Sequence, residues 1–110
     1  MKQVDLHDQW NFFLSKIVNP IAQLVYDGYT DDGKAIMNFV VRYKLDEQPS
    51  LKPHHDSSTY TINIALNEKD VDFQGGGCRF IRYNCSVTNT KVGWMMMHPG
   101  RLTHLHEGLR

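Results

Sequence analysis

Two adjoining stretches decide the reading: Pro53-His54-His55-Asp56, and the alternating run Thr59-Tyr60-Thr61-Ile62-Asn63-Ile64-Ala65-Leu66. In the run, Tyr60, Ile62, Ile64 and Leu66 alternate with Thr59, Thr61, Asn63 and Ala65, the period of a strand with one apolar face; a strand is predicted from Ser57 to Leu66. Side chains two apart on an extended chain point the same way, so His54 and Asp56 share a face and His55 points to the other. The pair has the parity of Tyr60 and Ile62, although a bend after Asp56 would change that facing. An imidazole beside a carboxylate supplies two of the three donors of a facial His/His/carboxylate iron site. The third must come from a distant His, and His106 in Thr103-His104-Leu105-His106-Glu107-Gly108 is the candidate. His-His-Asp is also what a polar turn opening a strand looks like, so the rest of the chain has to weigh in.

Around this centre the chain punctuates itself into short strands. Met37 to Lys44 is rich in β-branched and aromatic residues and predicts a strand, on which Tyr43 reads as a half-buried packing residue. Lys52-Pro53 keeps the chain extended into His54. Gly75-Gly76-Gly77 lacks the Lys-Ser/Thr and helix that a phosphate cradle needs, and reads as a tight corner before a strand at Cys78–Ile81. Further short strands are predicted at 84–87 and 93–97, where Met95-Met96-Met97 is core filling. His98 to Arg101 is a turn, and residues 102–106 carry the distal histidines.

Upstream, Trp10, Phe13, Leu14, Ile17, Ile21, Leu24 and Val25 recur at three- and four-residue steps. They predict a helix over about residues 5–26 with one buried stripe, which Pro20 bends or splits. His7 is a solvated side chain, and Gly28 to Lys34 is a turn-rich loop. One helical segment followed by many short strands argues a single, mainly β domain spanning 1–110, its core over 37–110.

Composition removes several classes. Twelve Lys and Arg balance twelve Asp and Glu, with no basic run, which excludes a nucleic-acid footprint. No apolar run is long enough to cross a bilayer. Met1-Lys2-Gln3 leads into an amphipathic stretch rather than a signal-peptide core. Cys78 and Cys85 would lie roughly 23 Å apart on a straight strand, so a disulfide between them demands a tight turn near Phe80–Tyr83.

The ordered set Asn38-Phe39-Val40-Val41-Arg42-Tyr43, Pro53-His54-His55-Asp56-Ser57-Ser58-Thr59, Gly75-Gly76-Gly77-Cys78-Arg79-Phe80 and His98-Pro99-Gly100-Arg101-Leu102-Thr103-His104 resembles the catalytic domain of the procollagen-lysine 2-oxoglutarate 5-dioxygenases, the lysyl hydroxylases. The resemblance implies a double-stranded β-helix (jelly-roll, cupin-like) with a helical flank. It implies iron(II) held by His54, Asp56 and His106, with His104 and His98 as competitors for the last place. It implies 2-oxoglutarate as co-substrate, contacted by Tyr43 and Asn63, with O2 as oxidant and ascorbate as the rescuing reductant. The substrate would be a lysine in a collagen-like polypeptide, hydroxylated at C5, in the lumen of the endoplasmic reticulum. Glu68, Asp70, Asp72 and Glu107 are candidate carboxylates for the lysine, against the plainer role of solvated charges. A homodimer contact would include Leu102, against the plainer role of ordinary core packing. The family also grips 2-oxoglutarate with an Arg beyond the distal His, for which Arg101 and Arg110 are poor replacements. The expectation is therefore a piece of a larger enzyme, lacking the last core strand and poorly active alone. Competing readings are a hydroxylase of another residue, a non-catalytic collagen- or partner-binding fragment, and a zinc module using Cys78, His104 and His106.

Overall fold

The computed structural model describes residues 1–28 and 33–110, and the loop expected over 28–34 lies largely outside them. The chain forms two compact units, Met1–Val41 and Arg42–Arg110.

The first unit is helical. A 3-10 turn, Lys2–Val4, precedes α1 (His7–Phe13); a π segment, Leu14–Val18, runs into α2 (Asn19–Val25). The helix is neither split nor stopped at Pro20. Proline lacks the N–H that the next bond would use, and here it occupies the first turn of α2, directly behind the wider i→i+5 turns. The π segment also corrects the predicted stripe. An extra residue in one turn shifts the positions that follow by one, so the buried side chains from the end of the π segment onward are Val18 and Ala22 rather than Ile17 and Ile21. Ile17, Ile21, Leu24 and Val25 are exposed, while Trp10 and Phe13 stack at 5.5 Å.

The second unit holds all the strands assigned among the described residues: β1 (Leu51–His54), β2 (Tyr60–Ile64), β3 (Cys78–Phe80), β4 (Cys85–Val87), β5 (Met95–Pro99) and β6 (His106–Gly108). They form a four-stranded sheet, β1-β6-β3-β4, and a two-stranded one, β2-β5, with every pairing antiparallel. Short strands in two antiparallel sheets match the predicted mainly β, jelly-roll class. The segment predicted as a strand at Met37–Lys44 is not one: no strand pairs with it among the described residues, and β propensity without a partner ladder leaves an extended, exposed chain. The strand expected over 57–66 is confined to Tyr60–Ile64, because residues 57–59 bend.

Pro53 sits within β1, an edge strand, with a register irregularity between Leu51 and His54. An edge tolerates the missing donor. Gly75, Gly76 and Gly77 all take positive φ, as the corner reading required, and a side chain at Gly77 would strike the Val87 carbonyl at 2.7 Å. The chain also turns tightly at 81–84, yet Cys78 and Cys85 stay apart. The register opposes Cys78 to Val87 and Phe80 to Cys85, so both thiols are free.

Burial in the second unit gathers at one place: its buried side chains are Phe80, His98 and His106. An ordinary domain of this kind buries aliphatic residues; this one buries two imidazoles around a phenyl ring.

Candidate metal centre

His54 ends β1 and His106 begins β6, and the ladder sets the two opposite each other. Their rings lie 4.4 Å apart. Asp56, two residues past His54, is held by its own amide, which donates to the Gly100 carbonyl at 2.9 Å. Its carboxylate then meets both imidazoles: Oδ1 is 3.4 Å from His54 Nε2, and Oδ2 is 3.5 Å from His106 Nε2. One donor atom from each of the three residues lies within 4.8 Å of the others.

The hydrogen bonds decide what those atoms can do. His54 Nδ1 is 2.7 Å from the Lys52 carbonyl, and His106 Nδ1 is 2.8 Å from the His104 carbonyl. A carbonyl only accepts, so each Nδ1 carries its hydrogen and each neutral ring presents a lone pair at Nε2. With both rings in that neutral form, two lone pairs and a carboxylate aim at one point with no hydrogen between them. That convergence of acceptors suits a cation, and a backbone-fixed tautomer is what orients histidine toward a metal. At 3.4 and 3.5 Å from the carboxylate, and all within 4.8 Å, the donors stand wider than the roughly 3 Å between neighbouring ligands of one ion with bonds near 2.1 Å, so a bound ion would draw them slightly together. The residues fit iron.

A second layer supports them. Phe80 lies opposite both Cys85 and His106, with ring contacts to His106 at 6.0 Å, His98 at 5.0 Å and His104 at 5.8 Å. His98, only 3% exposed, stands 4.6 Å from the His106 ring. Burial pushes its pKa below the usual imidazole range, and the neighbouring His106 and His104 push the same way against the opposing pull of the Pro99 carbonyl and Asp56. It donates from Nδ1 to that carbonyl at 2.8 Å and faces Asn63 Nδ2 with Nε2 at 3.5 Å.

The predicted residues fall out as follows. His54, Asp56 and His106 come together; His55 is exposed and turned away. His104 precedes β6 instead of sharing its face. Its Nδ1 meets the Thr103 hydroxyl at 2.7 Å and its ring meets Tyr83 at 5.0 Å, and it lies outside the group formed by His54, Asp56 and His106. Neither it nor Cys78 joins a metal-ligating group among the described residues, so the zinc module finds no site. Asn63 lies on the face of β2 that carries Thr61, paired across to His98. Tyr43 reaches over β6: a Cβ on Gly108, two residues past His106, would come within 2.8 Å of its hydroxyl. Burial, with Cys78 beside it, raises the Tyr43 pKa. Cys78 pairs with Gly108, and burial followed by the Asp56 charge pushes its thiol up to about 11. Glu107 pairs with Arg79 at 3.4 Å, and Asp72 accepts the Glu68 amide at 2.8 Å. Leu102 is 90% exposed with a left-handed φ of 65°.

Sequence reasoning missed Thr61, Ser58 and Gly100. The bend at 57–59 turns the polar face of β2, not the Tyr60/Ile62 face, toward Asp56, so the residues that read as outward are those at the centre.

Residues 35–110 match the family model of the 2OG-Fe(II) oxygenase superfamily. The chain belongs to this superfamily. The chain is 64% identical over 110 residues to procollagen-lysine,2-oxoglutarate 5-dioxygenase from Drosophila melanogaster. It is 59% identical over 109 residues to the rat multifunctional procollagen lysine hydroxylase and glycosyltransferase LH3, and 58% identical over 109 residues to human procollagen-lysine,2-oxoglutarate 5-dioxygenase 2. Each match covers 99% of this chain and 15% of the relative's length. Among the described residues, no helix is long and apolar enough to cross a membrane.

Proposed function

We propose that this oxygenase domain holds iron(II) through His54, Asp56 and His106 and serves a dioxygenase that hydroxylates C5 of peptidyl lysine in collagen-like polypeptides. The observation that carries the reading is the convergence of two carbonyl-anchored imidazoles on the Asp56 carboxylate, in a chain so similar to procollagen-lysine dioxygenases. Iron with 2-oxoglutarate and O2 supplies the oxidation when bound, giving hydroxylysine, succinate and carbon dioxide.

The chain's own residues do the placing. The two imidazoles and Asp56 would hold the metal as a facial set of three ligands, leaving its remaining places for co-substrates. To Tyr43, whose raised pKa keeps its hydroxyl a donor, and to the amide of Asn63 we assign a carboxylate of 2-oxoglutarate. His98, kept neutral by burial, adds no positive charge beside the metal. Ascorbate is the reductant this chemistry would draw on, and the lumen of the endoplasmic reticulum is where collagen-like substrate is met. Glu68 and Asp70, on an exposed loop, are the carboxylates best presented to a lysine ammonium. Leu102, apolar and projecting on a strained turn, is the proposed homodimer contact.

Succinate release from 2-oxoglutarate, with and without a Gly-x-Lys collagen peptide, tests the reading in the protein that carries this domain. Peptide-dependent succinate with one oxygen added to lysine is expected, and Asp56→Ala should abolish it together with iron retention. Full activity in Asp56→Ala overturns the assignment. Iron retention without succinate at any peptide concentration would leave only a binding module.

A further inference from the structure

Asp56 offers both carboxylate oxygens to the imidazole pair, Oδ1 toward His54 and Oδ2 toward His106, a disposition from which a carboxylate closes on an ion with two oxygens as readily as with one. A second oxygen on the metal would consume a place that co-substrates need. One contact breaks this symmetry. The Thr61 hydroxyl donates to Oδ2 at 2.5 Å, and nothing comparable reaches Oδ1 among the described residues. Thr61 has a single hydroxyl hydrogen and spends it there, so in the 2.9 Å contact between Ser58 Oγ and Thr61 Oγ1, Ser58 must be the donor. Two hydroxyls thus form a directed relay, Ser58 to Thr61 to Asp56, in which each bond polarises the next. The relay draws charge toward Oδ2 and leaves Oδ1 the freer donor.

The relay is built in, not incidental. Thr61 stands on β2 directly opposite the buried His98, and Gly100 packs so closely that a Cβ there would lie 2.5 Å from Ser58 Oγ and 3.1 Å from Asp56 Cβ. Ser58, Thr61 and the carboxylate therefore have little room to rearrange.

We propose that Thr61, driven by Ser58, is a positioning residue that holds Asp56 to one-oxygen ligation and so preserves three open places on the metal. The inference rests on reading His54, Asp56 and His106 as the metal ligands. It is tested with Mn(II) alone, counting exchangeable waters on the bound ion by solvent-proton relaxation in the full chain. Wild type should carry about three waters, the number left by three single-atom ligands on a six-coordinate ion, and Thr61→Val about two, with one ion still bound per chain. Thr61→Ser, which keeps the hydroxyl, should restore the wild-type count. An unchanged count in Thr61→Val overturns the proposal while leaving the site intact. If circular dichroism shows Thr61→Val unfolded, Ser58→Ala decides: a count below wild type supports the relay, and a wild-type count overturns it. Wild-type Mn(II) affinity in Asp56→Ala would overturn the ligand assignment, and the relay with it.

Discussion

The amide of Asp56 donates to the carbonyl of Gly100 at 2.9 Å, while the amide of Gly100 donates to Thr59 at 3.0 Å. Gly100 thus closes the loop between β1 and β2 from above, with no space for a side chain. Gly100→Ala should lower stability by about 1–3 kcal/mol through overpacking. It should also weaken metal binding, because Asp56 moves with the loop. Thermal unfolding and Fe(II) titration check both effects, and a variant that loses stability with unaltered affinity would uncouple Gly100 from Asp56.

The histidines should separate cleanly by substitution. His106→Ala removes an anchored lone pair and should lower Fe(II) affinity by about 100-fold or more. His104→Ala keeps the carbonyl that anchors His106 and should cost about tenfold at most. Anaerobic Fe(II) titration of both variants reads the difference, and the reverse order would exchange their roles.

Phe80 touches three imidazoles and, among the described residues, is the one buried apolar side chain of its unit. Phe80→Ala should cost about 3–5 kcal/mol, the range for removing a buried aromatic ring. Denaturant unfolding monitored by circular dichroism measures it. Metal added in excess should recover part of the loss, since an ion that binds only the folded chain stabilises it by mass action.

The cysteines should differ in reactivity. Cys85 is exposed, whereas the Cys78 thiol is half-buried with a pKa of about 11. At pH 8 roughly one Cys78 in a thousand is thiolate, so iodoacetamide should label Cys85 first, read by mass spectrometry. The same shift carries a sign for stability. A thiol whose pKa rises on folding favours the folded state below its ordinary value of 9.0, and that stability is lost as pH rises toward about 11. Cys78→Ser should flatten this alkaline decline.

Much of this centre was legible from residue order. His-x-Asp near a strand gave two of the converging side chains, the family resemblance preferred His106 to His104 and His98 as the third, and alternation gave the mainly β class. Three things were not legible, each for a physical reason. Met37–Lys44 has strand composition but no ladder partner among the described residues, and composition cannot report a partner. Ile17 and Ile21 fit a 3.6-residue period that the π segment interrupts, moving the buried positions to Val18 and Ala22. Thr61 read as an outward residue because the bend at 57–59 that turns it inward depends on Gly100, forty-odd residues away in the chain.

His54, His98 and His106 each hand their Nδ1 hydrogen to a main-chain oxygen, at Lys52, Pro99 and His104 respectively. Every residue type carries that oxygen. Replacing Lys52 or His104 by any other amino acid leaves the proton where it is, and only a slip of strand register could release it. The ligating tautomers are thus a property of the backbone path, immune to drift in the side chains around them.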